Sequence, residues 1–165
     1  MLAFTCPISF ASYIAWEPRV KRIALLLVLA AACRTVAVRD PSLTGAATPR
    51  AAVDRFLAAA KAQDMQALGA GFGGEKGLAR DHEDRAVTER RELIMLQCLR
   101  HDKAVIAEPT RGEGGRQLFL IDFTQGSQKA TVLFTTVKGP SDRWYVEIFD
   151  ITVLQNKGFC SKSGG

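Results

Sequence analysis

The fold is decided by residues 116–154, which read RQLFLIDFTQGSQKATVLFTTVKGPSDRWYVEIFDITVL. Branched and aromatic side chains dominate three runs, and two short segments containing Gly, Ser, Pro or Asp separate them. This pattern is typical of antiparallel strands joined by turns. We predict strands over 116–124, 129–138 and 143–154, and a shorter strand over 103–108 that stops before Pro109.

The first turn predicts the register of its two strands. A two-residue loop at 126–127 pairs Gln125 with Gln128. Counting back along both strands then sets Asp122 opposite Thr131.

The second turn predicts a further register. A four-residue loop over 139–142 pairs Lys138 with Arg143 and sets Thr131 opposite Asp150. Because side chains alternate across a strand, two faces result. The leucine face carries Leu118, Leu120, Asp122, Thr131, Leu133, Thr135, Val137, Trp144, Val146, Ile148 and Asp150. The phenylalanine face carries Phe119, Ile121, Phe123, Ala130, Val132, Phe134, Thr136, Tyr145, Glu147, Phe149 and Ile151.

Both predicted faces are largely apolar, whereas an antiparallel sheet with one solvated face shows a clean alternation. We expect the phenylalanine face to pack on helices. The leucine face then needs a cover, which a second copy of the chain, the C-terminal tail or a ligand could supply. A homodimer through the leucine face is the first expectation, since exposed apolar patches usually mark contact sites.

The predicted register gathers three polar side chains at one end of the leucine face: Asp122, Thr131 and Asp150. Trp144 lies on the same face, and these four residues form the candidate pocket. Two neighbouring carboxylates can perturb each other's pKa and perform acid–base chemistry, so Asp122 and Asp150 are the candidate catalytic pair. The alternative is that both are hydrated acids at strand ends.

Three helices are predicted before the strands. Thr48 is a suitable N-cap and Pro is favoured in the first turn, so the first helix runs from Pro49 to about Gln63. A second, short helix covers 64–68. Residues 69–77 are rich in glycine and formally match a dinucleotide fingerprint, but no strand precedes them, so we expect a loop.

A third helix is predicted over 86–101. Its second half is apolar around most of its circumference, which indicates burial. Its more solvent-exposed end is marked by Arg90, Arg91 and Glu92. Helices followed by an antiparallel meander define an α+β fold, with N-terminal helices packed on a curved sheet. A cystatin-like arrangement of one helix on a sheet is the near alternative.

The targeting signal lies ahead of this domain, where residues 21–33 read KRIALLLVLAAAC. Two cations, an apolar run and small residues follow the order of a secretory signal. The apolar run over 23–32 has ten residues, and a membrane-spanning helix needs about 20. The cysteine at the cut resembles that of a bacterial lipoprotein signal, which implies that Cys33 carries a diacylglycerol.

The chain therefore divides into a signal peptide over 1–32, a tether over 33–47, the α+β domain over 48–154 and a tail over 155–165. The true start is expected at Val20, which would leave a compact basic segment before the apolar run. Arg34 follows Cys33, where an Asp often retains lipoproteins at the inner membrane. The expected location is the periplasmic side of the outer membrane, if the source has two membranes.

The four cysteines separate into two groups. Cys6 and Cys33 belong to the targeting segment, which leaves Cys98 and Cys160. In an exported protein these two can form a disulfide, and the alternative is a buried thiol at Cys98 with an exposed Cys160. The spacing of cysteines and histidines predicts no metal site, and no cofactor is expected.

The charge of the chain argues against nucleic-acid binding. It has 22 Lys+Arg and 17 Asp+Glu, a net charge of +5. Three of the cations and one of the acids precede Cys33, which leaves 19 minus 16, or +3, after cleavage. No cations alternate with aromatic residues, so a nucleic-acid partner is not expected.

The order of elements over 48–154 resembles the cone-shaped nuclear-transport-factor-two-like fold of small uncharacterised bacterial lipoproteins. The segments GGEKGLARD over 73–81 and MLQCLRHD over 95–102 carry this resemblance. It implies a curved sheet that wraps helices around a pocket. We expect a lipid-anchored envelope protein with a non-enzymatic domain that binds a ligand or a protein; the alternative is a pocket enzyme of the isomerase or hydrolyase type that uses Asp122 and Asp150.

Overall fold

The computed structural model describes residues 44–160, and these form the predicted α+β fold. Its helices are α1 (Pro49–Ala62), α2 (Met65–Gly71), α3 (Arg85–Cys98) and α4 (Ile151–Asn156). Its strands are β1 (Gly73–Gly74), β2 (Gly77–Leu78), β3 (Lys103–Ile106), β4 (Thr110–Arg111), β5 (Gln117–Gln125), β6 (Gln128–Lys138) and β7 (Trp144–Phe149). Short 3-10 turns cover Ala79–Asp81, Glu113–Gly115 and Pro140–Asp142.

The first helix forms as its caps predict. The Thr48 hydroxyl accepts a hydrogen bond from the Ala51 N–H at 3.2 Å, and Pro49 occupies the first turn. Gln63 ends the helix in the left-handed conformation, with φ of 56°. Its side chain donates to the Ala60 and Leu96 carbonyls, so the end of α1 is tied to α3.

The main sheet is antiparallel, with strand order β3-β5-β6-β7 and β4 paired with β5. The first hairpin has the predicted register, with Gln125 opposite Gln128 and Asp122 opposite Thr131. The phenylalanine face packs against the helices, and its largest fully buried members are Phe119, Phe123, Phe134, Ile121 and Val132.

The predicted register of the second hairpin is wrong. The loop holds five residues rather than four, because the 3-10 turn at Pro140–Asp142 lengthens it, and Lys138 lies opposite Trp144. A β-bulge at Glu147 then realigns the strands, so that Ile148 lies opposite Thr135.

The loop and the bulge move side chains between the two faces. Val146 and Trp144 join the phenylalanine face, and Tyr145 joins the leucine face. Ile148 and Phe149 keep their predicted faces, because the bulge cancels the one-residue error of the loop.

The last predicted strand, over 143–154, also ends too late. β7 stops at Phe149, and Asp150 begins helix α4. The predicted tail belongs to the domain, since Phe159 is fully buried in the core beside Phe123. The domain likewise begins before residue 48, because Ala46 is buried and pairs with Trp144.

The glycine-dense segment is more ordered than the loop we expected. Its first glycines belong to α2, and Gly73 and Gly74 pair with 77–78 in a small hairpin. A Cβ at Gly73 would collide with the Gly77 carbonyl oxygen, so only glycine permits this pairing.

The orientation of α3 differs from the prediction. Glu92 is buried, while Leu93 and Ile94 are exposed. The inward stripe contains Thr88, Glu92, Met95, Leu96 and Leu99, which recur at helical spacing. Glu92, which we expected at the solvent-exposed end of the helix, therefore faces inward. It does so because the apolar residues later in the stripe set the rotation of the helix.

Several expectations concern residues outside the described range. They are the signal peptide over 1–32, the start at Val20, the lipidation of Cys33 and the tether as far as residue 43.

Of the two alternatives for Cys98 and Cys160, the structure has the disulfide. It joins the end of α3 to the end of the described chain. The Gln97 side chain also donates a hydrogen bond to the Cys160 carbonyl. The C-terminal segment that carries Phe159 is thus held on the helix layer by covalent and non-covalent contacts.

Reduction of this bond should destabilise the domain. The two cysteines are 62 positions apart in the sequence, and a loop of that length restricts the unfolded chain by about 4 kcal/mol. We expect urea denaturation of the full chain to show a loss of this size when reductant is added. The Cys98→Ala/Cys160→Ala variant is the control and should not respond. A midpoint of the wild type that reductant leaves unchanged would contradict the assignment.

Candidate functional site

The leucine face ends in a hydrogen-bonded pair at the β5–β6 hairpin. The Thr131 hydroxyl donates to the Asp122 carboxylate at 2.6 Å, as expected from their opposition. Both residues are exposed. The Asp122 carboxylate is therefore open to solvent and already accepts one hydrogen bond from a residue of the leucine face.

The other two pocket candidates lie elsewhere. Asp150 is exposed, and its side chain accepts a hydrogen bond from the Thr152 N–H at 3.0 Å as the N-cap of α4. Trp144 is displaced to the opposite face and exchanges two 2.8 Å backbone hydrogen bonds with Ala46. The prediction that Asp150 lies opposite Thr131 is wrong. The structure therefore does not set Asp122 and Asp150 as a pair for acid–base chemistry.

The middle of the leucine face is apolar and open to solvent. Four large side chains there expose 44–62% of their surface: Val105, Leu120, Leu133 and Ile148. Leu120 and Leu133 are direct cross-strand partners. Val105 lies opposite Asp122 and Ile148 opposite Thr135, so the four side chains form one continuous strip across β3, β5, β6 and β7.

The far end of the leucine face is closed by an ion cluster. Arg116 donates to both carboxylate oxygens of Glu147, at 2.6 and 2.7 Å, and lies 3.1 Å from Glu75. These bonds and charges, Glu147 first, raise the pKa of Arg116. The bulge gives Glu147 its position, so the register correction and the ion cluster have one origin.

This end of the face is also covered by backbone. Val137 and Tyr145 are buried although they lie on the leucine face. A Cβ at either Gly45 or Gly139 would lie 2.9 Å from the Tyr145 ring, which shows how closely the chain passes over it. The exposed strip is therefore the uncovered remainder of a face that is buried elsewhere.

A groove of about 380 Å³ lies between α3 and β7. Its lining is mainly apolar and includes Phe72, Met95 and Phe149, with Arg91 and Glu147 as the charged members. The Arg91 guanidinium lies over the Phe72 ring at 5.7 Å and pairs with Glu83 at 2.8 Å. Its charge is thus paired within the chain, at the protein surface.

A separate polar cleft of about 320 Å³ lies between α2 and α3. Its lining comprises Met65, Gln66, Arg80, Arg85, Thr88, Glu89 and Glu92. Glu92 is only 6% exposed. Burial raises the pKa of the Glu92 carboxyl, Arg80 lowers it to a lesser extent, and the charge of Glu89 raises it further.

Arg80 faces Glu92 across Gly69. A Cβ at Gly69 would lie 2.7 Å from Arg80 Nη2 and would collide with Glu92 Oε1. The Arg80 terminal nitrogens donate to Gln66, at 3.5 and 3.2 Å. Arg80 Nε is buried and has no hydrogen-bond partner among the described residues.

Sequence reasoning missed this cleft. It placed Glu92 at a wet helix end, and Arg80 lies in a turn whose position depends on the β1–β2 hairpin. Gly69 lies inside α2, where an interior glycine often marks a close approach of another group, but the predicted helix ended at residue 68 and so concealed this signal.

The histidines take up backbone contacts. His82 Nε2 lies 2.7 Å from the Lys76 carbonyl oxygen, and His101 Nδ1 lies 2.7 Å from that of Leu99. Over 44–160 no three acidic, cysteine or histidine side chains are grouped as metal ligands. In the same range no helix combines the length and the hydropathy needed to cross a membrane.

Comparison of the chain with protein-family models, with curated proteins and with solved structures found no match.

The buried carboxyl should give the protein a pH-dependent stability. Because the pKa of Glu92 is raised in the folded state, folding takes up a proton. The stability that this proton contributes is fully present below the ordinary pKa of 4.5 and is lost as pH rises through the folded value. We expect Glu92→Gln to be at least as stable as the wild type at neutral pH. The difference in free energy of unfolding between variant and wild type should shrink as pH falls towards 4.5.

The control is Glu108→Gln, because Glu108 is exposed beyond β3 and does not line the cleft. Denaturant titrations at several pH values compare each variant with the wild type. A difference between Glu92→Gln and the wild type that stays constant with pH would contradict the raised pKa.

Proposed function

We propose that this chain is a lipid-anchored protein of the cell envelope with a non-enzymatic, protein-binding domain. The exposed strip of Val105, Leu120, Leu133 and Ile148 is the observation that carries the binding role. Contiguous exposed apolar surface of this kind marks interaction sites in soluble domains.

The Cys98–Cys160 disulfide supports the export part of the proposal. Structural disulfides persist in oxidising compartments and are rare where thiols are kept reduced. The order of residues 21–33, with Cys33 after three alanines, supports a lipid anchor. The proposed location is the periplasmic side of the outer membrane in a bacterium with two membranes. The resemblance to the nuclear-transport-factor-two-like fold stays a prediction.

We propose a second copy of the chain as the partner of the leucine face. The exposed cations Lys103 and Lys129 flank Thr124 at one end of this face and, with Asp122 beside them, give it one net positive charge. At the other end Glu75 and Glu147 share Arg116, which leaves one net negative charge there. A twofold axis in the plane of the interface and perpendicular to the strands brings unlike ends together, which gives a self-complementary contact.

The size of the face sets the strength of the dimer. Four strands and about seven residues along each give a flat area on the order of 450 Å² per copy. Stable complexes bury about 800 Å² per partner. The dimer is therefore weak and reversible in solution. A lipid anchor would confine both copies to one surface and raise their effective concentration.

The lipid anchor is tested by mass spectrometry of the chain extracted from native membranes. We expect a mature protein that begins at Cys33 and carries the mass of a diacylglycerol. Cys33→Ala should lack this mass, and Cys6→Ala should keep it. A membrane-extracted protein with an unmodified Cys33 contradicts the anchor.

The dimer is tested by sedimentation of the full chain in one detergent. We expect Leu120→Lys and Leu133→Lys to weaken self-association at least a hundredfold, about 2.8 kcal/mol, because each buries an unpaired charge in both copies. Leu93→Lys is the control, since Leu93 is 57% exposed on α3, away from the strip. A wild type that stays monomeric at every concentration, or equal weakening by Leu93→Lys, contradicts the dimer.

A further inference from the structure

Helix α3 has a second apolar face, which points away from the core. Three large apolar side chains there expose 41–57% of their surface: Val87, Leu93 and Ile94. At 3.6 residues per turn these three lie on one side of the helix, around Arg90 and opposite the inward stripe. A helix that buries one stripe in its own domain usually turns a polar face to solvent. This outward face therefore calls for a partner.

The charge on the outward face is a single arginine. Arg90 is exposed and forms no ion pair within residues 44–160. Two neighbouring acids are already neutralised, since Glu89 pairs with Arg85 at 2.7 Å and Glu83 pairs with Arg91 at 2.8 Å. A guanidinium between apolar side chains suits a phosphate at the boundary of an apolar phase. Its planar fork donates to the phosphate oxygens while its stem stays in apolar surroundings.

The domain starts close to α3. Ala46 pairs with Trp144 at the outer edge of β7. Two residues further along β7, a distance of about 7 Å, Val146 pairs with Phe72. The Arg91 guanidinium of α3 lies 5.7 Å from the centre of the Phe72 ring. The start of the domain and α3 are therefore at the same edge of the sheet.

The tether limits the distance between this edge and a membrane. Ten residues, 34–43, separate Cys33 from Thr44. A fully extended chain of that length spans about 35 Å. A lipid on Cys33 would therefore keep the β7 edge, and α3 with it, within that distance of the lipid surface.

The proposed dimer turns the same edge towards the membrane. Its twofold axis runs across the strands from β3 to β7, so both β7 edges lie at one end of the axis. Two lipid anchors in one membrane require that both domains start at one end of the axis. The β7 edges are that end, because each domain starts beside its own β7.

We propose that the outward face of α3 lies on the surface of the membrane that holds the lipid anchor. Val87, Leu93 and Ile94 enter the boundary between headgroups and acyl chains, and the Arg90 guanidinium binds a lipid phosphate. A lipid surface offers both the apolar chains and the phosphate oxygens that this face can bind. The proposal rests on the lipid anchor at Cys33 and adds an orientation of the domain to it.

Lipid contact is tested by fluorescence quenching on vesicles of phosphatidylethanolamine and phosphatidylglycerol, with and without bromine on the acyl chains. The full chain carries Trp16→Phe and Trp144→Phe, and Leu93→Trp supplies its only indole. We expect its emission to fall about twofold on brominated vesicles, because position 93 contacts acyl chains. Val105→Trp is the control, since Val105 is 48% exposed on β3 at the opposite edge of the sheet, and its emission should not change.

Circular dichroism checks that each variant folds. A second measurement leaves the sequence unchanged: a spin-labelled lipid in the vesicles should broaden the Leu93 amide resonance and spare that of Val105. Agreement of the two measurements excludes an effect of the introduced indole.

Arg90→Glu tests the role of the guanidinium. Added to Leu93→Trp, it should remove most of the quenching, because lipid phosphates repel a carboxylate. Arg111→Glu makes the same change of charge on β4, away from α3, and should leave the quenching as it was. Equal loss of quenching with both variants would show an effect of net charge alone and contradict the proposal.

Cys33→Ala separates this proposal from the lipid anchor. The full chain with this substitution has no thiol to acylate at position 33, and its apolar run over 23–32 still holds it on vesicles. Quenching at position 93 in this variant supports the outward face independently of any lipid on the native cysteine.

The proposal is overturned if the chain does not sediment with the vesicles, or if the indole of Leu93→Trp is quenched no more than that of Val105→Trp. A vesicle-bound chain without quenching at position 93 leaves the lipid anchor in place and removes only the contact of α3 with lipid. A protein partner for this face would give that second result.

Discussion

The stacking of Phe149 on Phe134 is the contact on which the geometry of the sheet depends. The two rings are nearly parallel, with centroids 4.7 Å apart, and Phe56 of α1 packs against both. This contact keeps the end of β7 in register with β6, although the preceding loop is one residue longer than a four-residue turn. The surplus residue becomes the bulge at Glu147, and the bulge carries a carboxylate to Arg116.

The same alignment explains why one apolar face behaves in two ways. Near the ion cluster, Val137 and Tyr145 are buried because backbone at Gly45 and Gly139 passes directly over the tyrosine ring. Farther from the ion cluster, no described segment covers the Leu120–Leu133 pair. The side chains of the two regions are similarly apolar, so the difference in exposure comes from where the loops run. The open strip is a property of topology, and composition alone does not reveal it.

The sequence predicted those parts of the fold that local chemistry determines. The β5–β6 register follows from a two-residue turn, whose length leaves no choice of pairing. The β7 register was mispredicted because Pro140 starts a 3-10 turn, which the letters Gly-Pro-Ser-Asp do not distinguish from a shorter loop. The sequence contained a signal for the N-cap at Asp150, namely an acid directly before an apolar helical turn. Strand-forming residues on both sides concealed that signal. Arg80, whose charge lowers the pKa of Glu92, lies in a different element, so helical periodicity could not reveal its proximity.

The rotation of α3 connects the disulfide to the polar cleft. Its inward stripe is polar in the first half, with Thr88 and Glu92, and apolar in the second, with Met95 and Leu99. Rotation of the helix by one position would bury Leu93 in place of the glutamate and remove the desolvation of a carboxyl. That rotation would also withdraw the apolar second half from the core, and it is opposed by the bond between Cys98 and the C-terminal segment. The end of the helix thus holds its beginning in an orientation that Glu92 alone would not favour.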